Sequence, residues 1–131
     1  YRMTQASNAD PEAKAFPEYM GARFGAKFAV CSKDPDEKEI AELVKCADGA
    51  ENIIFSSCNA HLFRGQLALA ASLAEKGVPM TVAALRNPYD LPLMPENAAL
   101  LAAFDYSRDS LAALADVFSG GDCCGVMPAA L

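Results

Sequence analysis

Tryptophan is absent from this chain, histidine occurs once, and acids outnumber bases by 17 to 11. Without tryptophan the chain lacks the largest ring that a sugar-binding platform can use. With His61 as the single imidazole, any Ser/His/Asp or Cys/His chemistry has to pass through that residue. A net charge of −6 with no basic run excludes nucleic acid, whose phosphates need clustered Lys and Arg. It gives no hold on an anionic membrane surface either, and no apolar run approaches the ~20 residues of a membrane span. The first five residues do not form a signal peptide and do not begin with Met, so the chain is expected to be a piece of something longer. No glycine-rich phosphate loop stands between a strand and a helix pattern, and Gly120, Gly121 and Gly125 come after a helix instead. No Gly-x-Ser-x-Gly elbow and no Cys-x-x-Cys pair occurs. No cofactor is expected.

What is present is an ordinary globular balance, 53% hydrophobic and 21% charged over 131 residues. That length fits a single domain over residues 1–131, able to bury roughly two-thirds of its unfolded surface without metals or disulfides. Five cysteines, Cys31, Cys46, Cys58, Cys123 and Cys124, form an odd set without framework spacing. They read as reduced thiols, which favours the cytoplasm over secretion.

Short apolar runs alternate with amphipathic stretches, the signature of a parallel sheet covered by helices. A first helix is predicted near Pro17, with Phe16, Met20 and Phe24 on one face and Gly25 at its end. Residues 27–31 read as a short strand. Asp34, Pro35 and Glu37 look like an N-cap, a first helical position and a capping carboxylate. Ile40, Leu43, Val44 and Ala47 then mark the buried face of that helix, and Gly49 closes it. Residues 52–57 and 79–85 are apolar at their centres and read as buried strands. Between them a helix is expected over 62–76, with Ala70, Ala71 and Ala74 as a close-packing face. Residues 86–92 hold two prolines and are expected to be irregular. A further strand is placed at 101–104, and a last helix from about Asp109 carries Leu111, Leu114, Ala115 and Phe118 inward. Right-handed crossovers then give a three-layer α/β/α sandwich with a mostly parallel sheet. Only a scrap of strand, residues 1–4, precedes the first helix, so the first strand is read as truncated.

Three sets of residues could carry chemistry, and for each the structural reading is preferred. Cys58 and His61 follow a strand, where parallel sheets place sites, and could serve as nucleophile and base; no third, orienting group is evident for them. His61, Cys58, Cys123 and Cys124 could hold zinc, but the two-ligand spacing of zinc sites is missing. Asp90, Asp105 and Asp109 lie near strand ends and could supply paired carboxylates. Asp109 is better explained as a helix cap, and Asp90 as a partner of its own loop backbone. No catalytic, cofactor-binding or metal residue is assigned.

The segment Pro-Met-Thr-Val-Ala-Ala-Leu-Arg-Asn-Pro-Tyr-Asp-Leu, residues 79–91, closely resembles the C-terminal domain of glycoside hydrolase family 3. That family shows a Val-rich strand ending in Leu-Arg-Asn-Pro-Tyr-Asp. Gly65 and Gln66 opening a helix, Gly77 before the strand, and Phe104, Asp105 and Tyr106 after it agree in order, and Met127, Pro128 and Ala129 stand where the family ends in Leu-Pro-Val. The resemblance implies a flavodoxin-like sandwich packed beside a TIM barrel, and within the family it points to the bacterial β-N-acetylglucosaminidases, also called β-N-acetylhexosaminidases. In that branch the nucleophilic Asp and the His-Asp acid/base pair belong to the barrel, so His61 is not the family's catalytic histidine. In the β-glucosidase branch a Glu comes instead from the loop before the Gly-Gln helix. Here that loop, residues 56–66, holds no carboxylate.

The resemblance therefore implies an accessory domain of an enzyme that hydrolyses O-glycosidic bonds in carbohydrate metabolism, inactive by itself, with the barrel as partner. A free-standing small-molecule or carbohydrate-binding module is the other reading, with Tyr89 and Tyr106 as its aromatics. Separated from a barrel, the Arg86–Leu93 loop is expected to expose Tyr89, Leu91 and Leu93 and to drive self-association.

Overall fold

A computed structural model describes residues 16–123, 125 and 127 of the chain. Three parallel strands, β1 (Ile53–Ser57), β2 (Met80–Ala84) and β3 (Ala99–Ala102), lie in sequence order, with Ile53 opposite Met80 and Thr81 opposite Ala99. Helices α2 (Glu37–Cys46) and α3 (Arg64–Ala74) cover one face. There Ile53, Phe55, Met80 and Val82 pack with Leu69, Ala70 and Leu73, and the half-buried Ile40, Leu43 and Val44 of α2, with Ala47 at its C-cap, close over them. Helices α1 (Phe16–Phe24) and α4 (Arg108–Phe118) cover the other. Phe16, Met20, Leu111, Leu114 and Ala115 pack there on Ala83 and Leu85, and the Phe16 and Phe118 rings meet edge-on. Strand alternation sends Val82 to one layer and Ala83 to the other, so the expected three-layer α/β/α sandwich is present.

Several elements differ from the sequence expectation, each for a local reason. Residues 27–31 form no strand. Gly25, at φ +62, ends α1, and Ala26 N–H donates back to the Gly21 carbonyl. The Phe28 ring then lies so close over Gly21 that a Cβ there would meet it at 2.6 Å. Residues 27–30 stay exposed and Cys31 alone enters the core beside Ile53 and Phe55, so the segment forms no ladder on the outer edge of β1. A cavity of about 970 Å³ remains beside it, lined among others by Phe28, Ile54, Leu69 and Leu73. The buried face of α3 is Gln66, Leu69, Ala70 and Leu73, while Ala71 is exposed. Residues 88–93 are regular after all, a 3-10 helix (Pro88–Leu93) capped by the Asn87 side chain, which accepts from Tyr89 N–H. The third strand begins two residues earlier than predicted, and Phe104 adopts φ +57 just beyond it. Residues 1–4, where a truncated first strand is expected, lie outside the described residues.

Candidate functional site

The C-terminal ends of β1 and β2 carry two loops that are bonded to each other. After Ser57 the chain turns through Asn59, which takes the left-handed φ of +56 that asparagine tolerates. The Asn59 carbonyl accepts from Leu62 N–H at 2.9 Å and the Ala60 carbonyl from Phe63 N–H at 3.1 Å. Across from it, Asn87 Nδ2 donates to Asn59 Oδ1 at 2.6 Å. Asp90, 0% exposed, reaches from the 3-10 helix to the same loop. Its Oδ1 accepts from His61 N–H at 3.0 Å and lies 2.7 Å from His61 Nδ1. Its Oδ2 is buried and has no hydrogen-bond partner among the described residues. An ionised carboxylate can only accept, so the hydrogen in this contact sits on His61 Nδ1.

Asp90 therefore does not bond its own loop backbone, as expected from its turn context; it orients the histidine. It is the third group that the sequence did not reveal for His61, and 29 positions separate the two. No spacing rule connects residues on different loops. Their meeting depends on β1 and β2 being neighbours.

Below this pair the first turn of α3 is locked to the loop before α2. Gln66 is fully buried: its Oε1 accepts from Cys58 N–H at 3.0 Å, and its Nε2 donates to Cys58 O at 3.2 Å and Lys33 O at 2.8 Å. Gly65 N–H donates to Asp34 Oδ1 at 2.7 Å. A Cβ on Gly65 would stand 2.3 Å from the Pro35 carbonyl oxygen, so only glycine fits this contact.

Cys58 packs in the core with Phe55, Leu69 and Val82, where a thiol behaves as a small hydrophobe. Burial likewise pushes the Cys31 thiol above its ordinary pKa. Cys123 is exposed, and Cys124 lies outside the described residues. Among the described residues no three His, Cys, Asp or Glu side chains stand together as a metal site.

The other two acids belong to the loop after β3 and to α4. Asp105 Oδ1 accepts from Tyr106 N–H and its Oδ2 from Ser110 Oγ. A hydrogen bond from the Ser107 hydroxyl holds the Asp105 carboxyl below the ordinary carboxylate value. Asp109 is not the cap: Ser107 caps α4 by accepting from Ser110 N–H, and Asp109 sits in the first turn.

Around the two bonded loops the exposed side chains include the basic Arg64 and Arg86 and three apolar ones. Leu62, Tyr89 and Leu93 are 64%, 58% and 51% exposed. Leu91, expected among them, is buried at 3%. In a 3-10 helix residues i and i+3 share a face, so Pro88 and Leu91 turn inward together and Tyr89 turns out.

No protein-family model and no curated protein matches the chain. Among solved structures it is similar to a glycoside hydrolase family 3 β-N-acetylglucosaminidase from Paenibacillus sp. str. FPU-7, at 25% identity and a TM-score of 0.74. The match takes in 85% of this chain and 21% of that enzyme, so the chain spans about a fifth of its length. In fold and in the 79–91 segment alike, the chain resembles the C-terminal domain of a family 3 glycosidase.

Proposed function

We propose that this chain is a single domain, the C-terminal accessory domain of a family 3 glycosidase of the β-N-acetylglucosaminidase kind, acting in carbohydrate metabolism. It catalyses nothing alone and packs against a TIM barrel that carries the chemistry. The observation that carries this reading is the likeness of nearly the whole chain to a fifth of such an enzyme. The acid-free loop before α3 supports it, because residues 56–66 offer no carboxylate to protonate a leaving group. Cys31 and Cys58, both buried, fit a reducing compartment, the cytoplasm. No helix among the described residues is long and apolar enough to cross a membrane.

The domain's part is to buttress the barrel and to line one side of its substrate cleft, using the apolar surface of Leu62, Tyr89 and Leu93. Purified chain incubated with a chromogenic N-acetylglucosaminide is expected to release no chromophore. Turnover that follows this chain through purification and is lost in a chain variant would overturn the accessory role.

A further inference from the structure

We propose that the outer edge of β1 is an acceptor site one strand wide, and that residues 1–4 of this chain fill it as a further parallel strand. Ile53 N–H donates to the Pro79 carbonyl and the Ser57 carbonyl accepts from Leu85 N–H, both at 2.9 Å, so the odd-numbered residues of β1 direct their backbone groups to β2. The N–H and C=O groups of Ile54 and Ser56 therefore face away from β2. No backbone partner meets them among the described residues. The Ser56 hydroxyl is buried and has no partner there either. The space beside this edge is the cavity of about 970 Å³. Its walls include residues 26–29 and Cys31 from the segment after α1, residues 52–56 from β1, and Leu43, Leu69 and Leu73 from the layer of α2 and α3. A strand edge that opens into an apolar groove is where an extended segment adds a strand.

The occupant follows from where the described chain starts. Phe16 itself lines the cavity, and 15 residues precede it. Phe16 packs on Ala83 and Leu85, at the C-terminal end of β2, so a strand that runs parallel to β1 and leads into α1 ends on the right side of the sheet. Residues 5–15 make the connection, and a stretch of that length reaches as far as ~36 Å. With residue 1 opposite Ile53, Met3 N–H donates to the Ile54 carbonyl and the Met3 carbonyl accepts from Ser56 N–H. Tyr1 and Met3 then share the face of Ile53 and Phe55, toward Leu69 and Leu73. Arg2 and Thr4 take the face of Ile54, which is 38% exposed, and the Thr4 hydroxyl stands beside the unpartnered Ser56 hydroxyl. The added strand also gives residues 27–31 the neighbour that their strand-like composition lacks. None of this depends on which enzyme the domain serves.

Amide hydrogen exchange on the full chain reads the site residue by residue. Ala103 N–H donates to the Ala84 carbonyl, so the Leu100 and Ala102 amides face the outer edge of β3 and serve as the open-edge reference. The Ile54 and Ser56 amides are expected to exchange at least about tenfold more slowly than these two. Met3→Pro, which removes the donor to Ile54, should speed Ile54 and Ser56 about tenfold or more and leave Val82 unchanged. Met3→Leu should keep the native rates. Ile54 and Ser56 amides as fast as Leu100, or protection that Met3→Pro leaves in place, would overturn the proposal. So would protection that grows with protein concentration, which would make the occupant a second copy of the chain. Each of these failures leaves the accessory-domain reading standing, since that reading fails instead on turnover by the isolated chain.

Discussion

Gln66 is where the fold depends most on one polar side chain. Its amide satisfies both backbone groups of Cys58 just past β1 and the carbonyl of Lys33, so three segments meet at one residue. Each buried group left without a partner costs about 1–3 kcal/mol. Gln66→Leu, close in volume and apolar, should therefore lower stability by about 2–4 kcal/mol in denaturant titration. A loss below about 0.5 kcal/mol, the range of an ordinary surface substitution, would show that these bonds are replaceable. The Gly65-Gln66 pair is legible in the sequence as the start of a helix, and by resemblance as a family feature. Its bonding is not legible, because the partners at 33, 34 and 58 belong to other segments. The same holds for His61 and Asp90: both stand out as titratable residues near strand ends, but their pairing exists only once the loops after β1 and β2 are neighbours.

Among the elements, α2 illustrates how a strong local pattern can be read two residues off. By sequence, Asp34 reads as the cap and Pro35 as the first helical position. The structure uses Asp36, extended at φ −81 and ψ 173, whose side chain accepts from Glu39 N–H at 2.8 Å. Asp34 is taken up by Gly65 N–H instead, which removes it from the helix. Asp36→Ala should cost about 1 kcal/mol by loss of the cap. Asp34→Ala should leave the helix intact and loosen the junction with α3. If hydrogen exchange in the first turn of α2 responds to Asp34→Ala and not to Asp36→Ala, the cap is misplaced. Residues 27–31 show a different limit. Their composition suits a strand, but a strand needs a partner, and after α1 ends at Gly25 residues 27–30 stay exposed without joining the sheet. The helices and the strands β1 and β2 were legible because an apolar face repeats along them, half-buried in α2 and buried in the others; caps and edges were not, because they depend on contacts between elements.

For the molecule as a whole, three parallel strands between two helical layers leave Tyr89 and Leu93 exposed on the loop after β2, with Arg86 exposed on the same loop. Two such side chains beside Leu62 make a surface suited to cover by another domain, and an isolated chain can cover it only with a second copy. Sedimentation of the native chain is expected to show concentration-dependent association, and a Tyr89→Ser, Leu93→Ser variant should run as a monomer. Leu91 is left in place because it is part of the interior. A native chain that stays monomeric at high concentration would remove self-association through this loop from the account.

The central claim, that this chain is the accessory part of a barrel enzyme, is tested most directly by the mass of the native protein that carries the sequence. The 131 residues account for 13.8 kDa. The account predicts a chain longer by a barrel of about 250 residues or more on the N-terminal side of Tyr1, identified by peptide mapping. A native protein of 13.8 kDa that begins at Tyr1, or a longer one with no barrel before it, would contradict the claim.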